Sequence, residues 1–197
     1  MPTREDALRL LEEWVEGPGL RNHMKAVEAA VRFYAREFGE DEETWGLAGL
    51  LHDLDWEKYP DEHPLRAVEV LRAEGYPEEV IHAILAHRAD FTGVEPETQL
   101  DRALFACDEI TGLITATALM RPNGIDDLTP KSVIKKMKDA AFARGVNREE
   151  VRRGTELLGV ELREHIGNVI EAMRAIAEEL GLTGAQLQQG RGGAAGG

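Results

Sequence analysis

One cysteine, Cys107, stands in the 197 residues, so neither an intramolecular disulfide nor a cysteine-based zinc knuckle can hold this chain together. That usage suits a reducing interior, with Cys107 as a small core residue. Nowhere do about 18 apolar residues run together, which excludes a helical membrane span. The opening "MPTREDALRL" carries charges where a secretory leader needs an apolar stretch. A cytoplasmic location without a membrane partner is the expectation. Period-two alternation is missing over any length that would build a strand. Basic residues are also few: 23 Lys and Arg face 37 Asp and Glu, for a net charge of −14. Most of such a surface would repel a phosphate backbone, so stable nucleic-acid binding is not expected.

What is present is helical spacing of apolar residues nearly everywhere, which predicts an all-α bundle of about nine helices. Thr3 with Asp6 caps the first, and the glycines of "GPG" at Gly17 to Gly19 stop it. Met24, Val27, Val31, Tyr34 and Phe38 line the second, which ends at Gly39. A third starts near Glu43 and carries His52 and Asp53 in its last turn. Pro64 and Pro77 open two short helices. A long one covers about Leu100 to Leu119. A basic helix runs from Thr129 and Pro130 to Gly145, an eighth follows the Asn147 and Glu150 capping box, and the last spans about Glu161 to Leu180. One domain over residues 1–182 is expected. From Thr183 the chain reads "TGAQLQQGRGGAAGG", too poor in apolar bulk to offset the entropy of ordering, and a disordered tail is predicted.

Charge is uneven along the chain. Eight basic residues between Lys131 and Arg153 (Lys131, Lys135, Lys136, Lys138, Arg144, Arg148, Arg152, Arg153) face only three acids, Asp139, Glu149 and Glu150. Such a run is either a solvated helix face or an anion-attracting wall beside a site.

The stretch "LAGLLHDLDW", residues 47 to 56, sets an imidazole and a carboxylate side by side after a buried apolar run. That arrangement costs free energy unless the charge is compensated. His23 beside Met24, and His87 in step with Val80 and Ile84, also face the core. Asp108 sits mid-helix among Phe105, Ala106 and Ile110, where a lone carboxylate is poorly tolerated. Imidazole and carboxylate together suit Fe, Mn, Zn or Ni, so a divalent cation is the expected compensation. His82 lies about 140° round its helix from His87 and stays outside this group. His165, next to the apolar stripe, is expected at the surface or as a cap.

The order His23, His52-Asp53, Asp108 resembles the HD superfamily of metal-dependent phosphohydrolases. "EHPLRAVEVL" at His63 and "AILAHRAD" at His87 resemble the two additional histidines of its dinuclear subgroup. The resemblance covers roughly residues 20 to 120. It implies one metal held by His23, His52, Asp53 and Asp108, and a second held by Asp53 as bridge with His63 and His87. It implies as well that His52 and Asp53 are central to catalysis, that the ions are Fe, Mn, Zn, Ni, Co or Mg, and that metal-bound hydroxide attacks a small phosphorylated substrate. Leu54, Asp55, Trp56 and Glu57 separate the doublet from Lys58, which is therefore expected at the surface. Arg88, Lys135, Lys136, Lys138 and Arg144 are the candidates for positive potential toward the substrate. The same ligand set also serves di-iron oxygenases of this superfamily, and a regulatory module that binds metal without turnover is a third reading.

Overall fold

A computed structural model describes residues 1–194, with side chains through residue 190. Among them are twelve helices and no strand: α1 (Arg4–Trp14), α2 (Pro18–Phe38), α3 (Glu42–Leu51), α4 (Leu65–Ala73), α5 (Glu78–Ala86), α6 (Ala89–Thr92), α7 (Gln99–Leu119), α8 (Pro130–Met137), α9 (Arg148–Leu158), α10 (Leu162–Ala175), α11 (Ala177–Leu180) and α12 (Gly184–Ala194). The all-α reading holds. The three helices beyond the nine expected are the single turn α6, the piece α11 set off by a break at Ile176, and α12. No helix among the described residues is long and apolar enough to cross a membrane.

Local chemistry explains most of the boundaries. Thr3 and Asp6 form a reciprocal capping box at α1, and Thr98 and Asp101 form another at α7. Gly39 ends α2 in the left-handed conformation at φ 72°, where a side chain would be strained. The basic helix stops at Met137, well short of Gly145. Residues 139 to 146 leave the helix because the Arg148 guanidinium donates to the carbonyls of Asp139, Phe142, Ala143 and Val146, giving them partners that helical bonds would otherwise supply. Asn147 caps α9 as expected, but its own N–H goes to Glu109 Oε2 of α7 at 2.9 Å rather than to Glu150.

The two longest helices, α2 and α7, form the centre. α3, α7 and α10 pack on α2, while α5 and α9 pack on α7. Two helix-to-helix contacts bring backbone close enough to require glycine. A Cβ on Gly49 of α3 would lie 2.8 Å from the Glu28 Cα of α2, and one on Gly154 of α9 would lie 2.7 Å from the Ala106 Cα of α7. Gly49→Ala must therefore push α3 off α2. We expect it to lower unfolding free energy by about 1–3 kcal/mol despite alanine's better helix propensity, as read from the urea midpoint.

Where the sequence predicts no order, α12 begins on a built start. Thr183 Oγ1 and the Gln186 amide bond each other, the Gly184 N–H donates to Asp126 Oδ2 at 2.9 Å, and Leu187 reaches the turn at Gly124. A tertiary anchor to the 123–126 turn thus supplies what composition alone does not. Residues 195–197 of the expected tail lie outside the described residues.

Candidate metal centre

Six side chains meet where α2, α3, α5 and α7 converge. His23 comes from the first half of α2 and Asp108 from the middle of α7. His52 is the C-cap of α3, so the doublet stands just past that helix rather than within its last turn, and Asp53 begins the turn that follows. His63 precedes α4, and His87 is the C-cap of α5. Short helices that end at the site bring imidazoles to it from several directions.

The four rings share one orientation. His52 Nδ1–H donates to the Gly49 carbonyl at 2.8 Å, and His87 Nδ1–H donates to the Ile84 carbonyl. His63 Nδ1 lies 2.6 Å from Asp55 Oδ1. His23 Nδ1 lies 3.3 Å from Thr111 Oγ1, whose hydroxyl donates to the Asp108 carbonyl at 2.8 Å. Because carbonyls and carboxylates only accept, the proton sits on Nδ1 and the Nε2 lone pair faces inward. His52 Nε2 is buried without a hydrogen bond, and His63 Nε2 is 3.1 Å from His87 Nε2. Lone pairs turned toward each other in a buried place need a proton or a cation between them.

Asp53 stands between two such groups. Its Oδ2 is 3.4 Å from His52 Nε2 and 3.7 Å from His23 Nε2, while its Oδ1 is 3.3 Å from His63 Nε2 and 3.7 Å from His87 Nε2. Asp108 Oδ1 is 3.0 Å from His23 Nε2 and 3.5 Å from His52 Nε2. His23, His52 and Asp108 form one group of donors close enough to hold a metal ion, and Asp53, His63 and His87 form another. Four imidazoles and two carboxylates so arranged suit first-row divalent ions. Burial pushes the Asp53 carboxyl up, but the surrounding imidazoles, His52 foremost, outweigh it and hold it well below the usual range. Asp108 is lowered by the same balance. Burial opposes protonation of His52, yet the charges of Asp53 and Asp108 carry it well above an ordinary histidine. His87, dominated by burial, is lowered.

The groups open onto a pocket of about 450 Å³. Asp53, Asp90, Asp108, Glu109 and Glu150 line it, with Arg88 as the cation on the wall. Arg88 is held by Asp90 at 3.1 Å and lies over the Trp56 ring, 5.9 Å from its centroid. Burial and the charge of Asp108 raise the Glu109 carboxyl to about 7, and burial raises Glu150 as well. A wall this acidic attracts cations and repels a bare phosphate.

The basic helix does not supply the positive wall expected of it. α8 packs on α10 and α7, and Lys135 and Lys136 line a different pocket with Thr117, Arg121 and Asp139. Lys138 and Arg144 are exposed and line neither. Lys58 is on the surface as expected, bonded to the Glu13 carbonyl at 3.0 Å and stacked over Trp14. His82 pairs with buried Asp101 at 2.9 Å, apart from the six. His165 is the reverse of a surface residue. It is fully buried, donating from Nε2 to the Ala106 carbonyl at 2.8 Å and accepting from Tyr34 at 2.6 Å.

One contributor was not foreseen. Asp55 is fully buried, holding His63 by Oδ1 and accepting the Ala67 N–H at Oδ2, 2.9 Å away, so it ties the ring to the start of α4. The signal was the second acid of "HDLD" after an apolar run, which would be costly without a partner. Such outer carboxylates orient ligand imidazoles. Asp55→Ala is expected to weaken metal binding about 10- to 100-fold, as measured by competition with a chromophoric chelator.

A family model described as HD domain matches residues 20–113. No curated protein matches the chain.

Proposed function

Given that residues 20–113 are an HD domain, we propose that the chain is a metal-dependent phosphohydrolase acting on a small phosphate ester. The observation that carries this reading is Asp53, whose two oxygens face two separate donor groups at the floor of an open pocket. In this reading His23, His52, Asp108 and Asp53 would hold one ion, and His63, His87 and Asp53 would hold the other. When bound, the ions supply water activation near neutral pH and neutralise phosphoryl oxygens as charge shifts to the leaving group. The donor chemistry favours Fe, Mn, Zn, Ni or Co over Mg, which prefers oxygen alone.

The chain's own residues then position the ester. Arg88, fixed by Asp90 and Trp56, offers planar N–H donors to a phosphoryl oxygen at the rim. The Nδ1 contacts to Gly49, Asp55, Ile84 and Thr111 keep the four rings from turning, so the pocket floor is set before substrate arrives. The acids Glu109, Glu150 and Asp90 discourage anions that do not engage the floor.

Anaerobic assay with Mn or Co against a panel of phosphate esters tests the reading. Phosphate release that a chelator abolishes is expected. Iron-dependent oxygen consumption without phosphate release would instead assign a di-iron oxygenase, and metal binding with neither reaction would assign a regulatory module.

A further inference from the structure

A second cleft, of about 290 Å³, adjoins the metal pocket and shares His23 and Gly112 with it. Its walls are mainly apolar, drawn from Gly19, Ala116, Leu119, Leu180 and Leu182. Asn22 and Thr115 contribute polar groups, the Asn22 amide nitrogen already donating to the Leu180 carbonyl at 3.2 Å. An apolar cavity of about 150 Å³ accepts a benzene ring, so this one has room for a larger group.

Its two glycines are informative. Gly112 lies mid-helix in α7, where glycine is disfavoured over alanine, and Gly19 lies in the first turn of α2. Neither has the positive φ that would require it. Packing does not require it either: a Cβ on Gly19 would meet nothing within 4 Å, and one on Gly112 would meet only Val146 Cγ2, at an ordinary 3.6 Å. The contrast with Gly49 and Gly154, which are pressed against backbone, is direct. What Gly19 and Gly112 keep open is the cleft and its passage to the metal pocket.

We propose that this cleft seats the leaving group of the substrate, and that the substrate is a phosphate monoester of an alkyl or aryl alcohol rather than of a strongly polar one. The proposal rests on the phosphohydrolase reading for its chemistry. Water gives its oxygen to phosphorus, the bond from phosphorus to the alcohol oxygen breaks, and one proton of that water leaves on the alcohol while inorganic phosphate forms. The phosphoryl group sits over the pocket floor, and the carbon chain passes Gly112 into the apolar walls. The edges of a sugar would find too few partners there, since only Asn22 and Thr115 add polar side chains to the apolar walls.

Non-hydrolysable alkylphosphonates separate binding from turnover. Calorimetric titration of the manganese-loaded protein with methylphosphonate and n-hexylphosphonate should show the hexyl compound at least tenfold tighter, since each buried methylene is worth about fourfold. Gly112→Leu at the passage, and independently Gly19→Leu at the far wall, should collapse that ratio toward one. Equal affinity of the two phosphonates, or a ratio that survives in both variants, would overturn the proposal. If the ratio behaves as expected but n-hexyl phosphate is not hydrolysed, the cleft assignment stands and the phosphohydrolase reading fails.

Discussion

Asp53→Ala is expected to reduce bound metal from two equivalents to at most one, more loosely held, after mild chelation, and to abolish phosphate release with it. The second donor group would keep only His63 and His87, too few to hold an ion against a chelator. The first would lose the oxygen that stands 3.4 Å from His52 Nε2, leaving His23, His52 and Asp108. Both effects come from one carboxylate because each of its oxygens serves a different group. No other side chain of the six has that double reach. His87→Ala, by comparison, should cost one equivalent and leave the other, as counted by elemental analysis on the desalted protein. Retention of two equivalents by Asp53→Ala would place the metal elsewhere.

The second large effect is a loss of stability in mild acid through His165. Burial lowers this imidazole to about 4 in the folded protein, against about 6.5 when unfolded. Between those values the unfolded chain binds a proton that the folded one refuses, so acid favours unfolding. The contribution is fully present above about pH 6.5, falls by about 1.4 kcal/mol per unit through the window, and levels off below about pH 4 after a loss of roughly 3 kcal/mol. Urea unfolding from pH 7.5 down to 4.5 measures the slope. His165→Leu should be less stable at pH 7.5, since Tyr34 and the Ala106 carbonyl lose their partner, yet its slope should differ from that of the parent chain by the His165 contribution of about 1.4 kcal/mol per pH unit. An unchanged slope in that variant would mean that other groups carry the acid sensitivity.

His165 also marks the edge of what periodicity reveals. The stripe Ile166, Val169, Ile170 and Met173 is real, but α10 packs against α2, α7 and α8 together, so its buried face is wide enough to take in the neighbouring position. One-stripe reasoning assumes one neighbour. Caps and breaks were legible wherever the decisive contact lies within a few residues, as at Thr3 with Asp6, Pro130 and Gly39. They were not legible where the contact is tertiary: Arg148 gathers carbonyls of a segment that composition reads as helix, and Asp126 anchors a tail that composition reads as disordered.

The candidate site divides along the same line. His23, His52, Asp53, His87 and Asp108 are conspicuous locally as polar groups beside apolar residues, whereas His63, which follows Asp61 and Glu62, was legible only through the family resemblance; the fold brings all six together. Asp55 escaped because its role depends on how the turn after α3 folds back onto His63. The lysines of α8 were assigned by charge alone, and charge does not say which end of α7 a helix docks against. Arg88, tied in sequence to His87, is the one substrate candidate that lines the metal pocket.

Anomalous diffraction from crystals of the chain, recorded at the absorption edge of whichever metal it carries, tests the central assignment most directly. Two peaks are predicted on either side of the Asp53 carboxylate, one within about 2.0–2.2 Å of donors from His23, His52 and Asp108, the other at similar distances from His63 and His87. A metal bound elsewhere, with no peak beside Asp53 in crystals of the fully loaded protein, would contradict it.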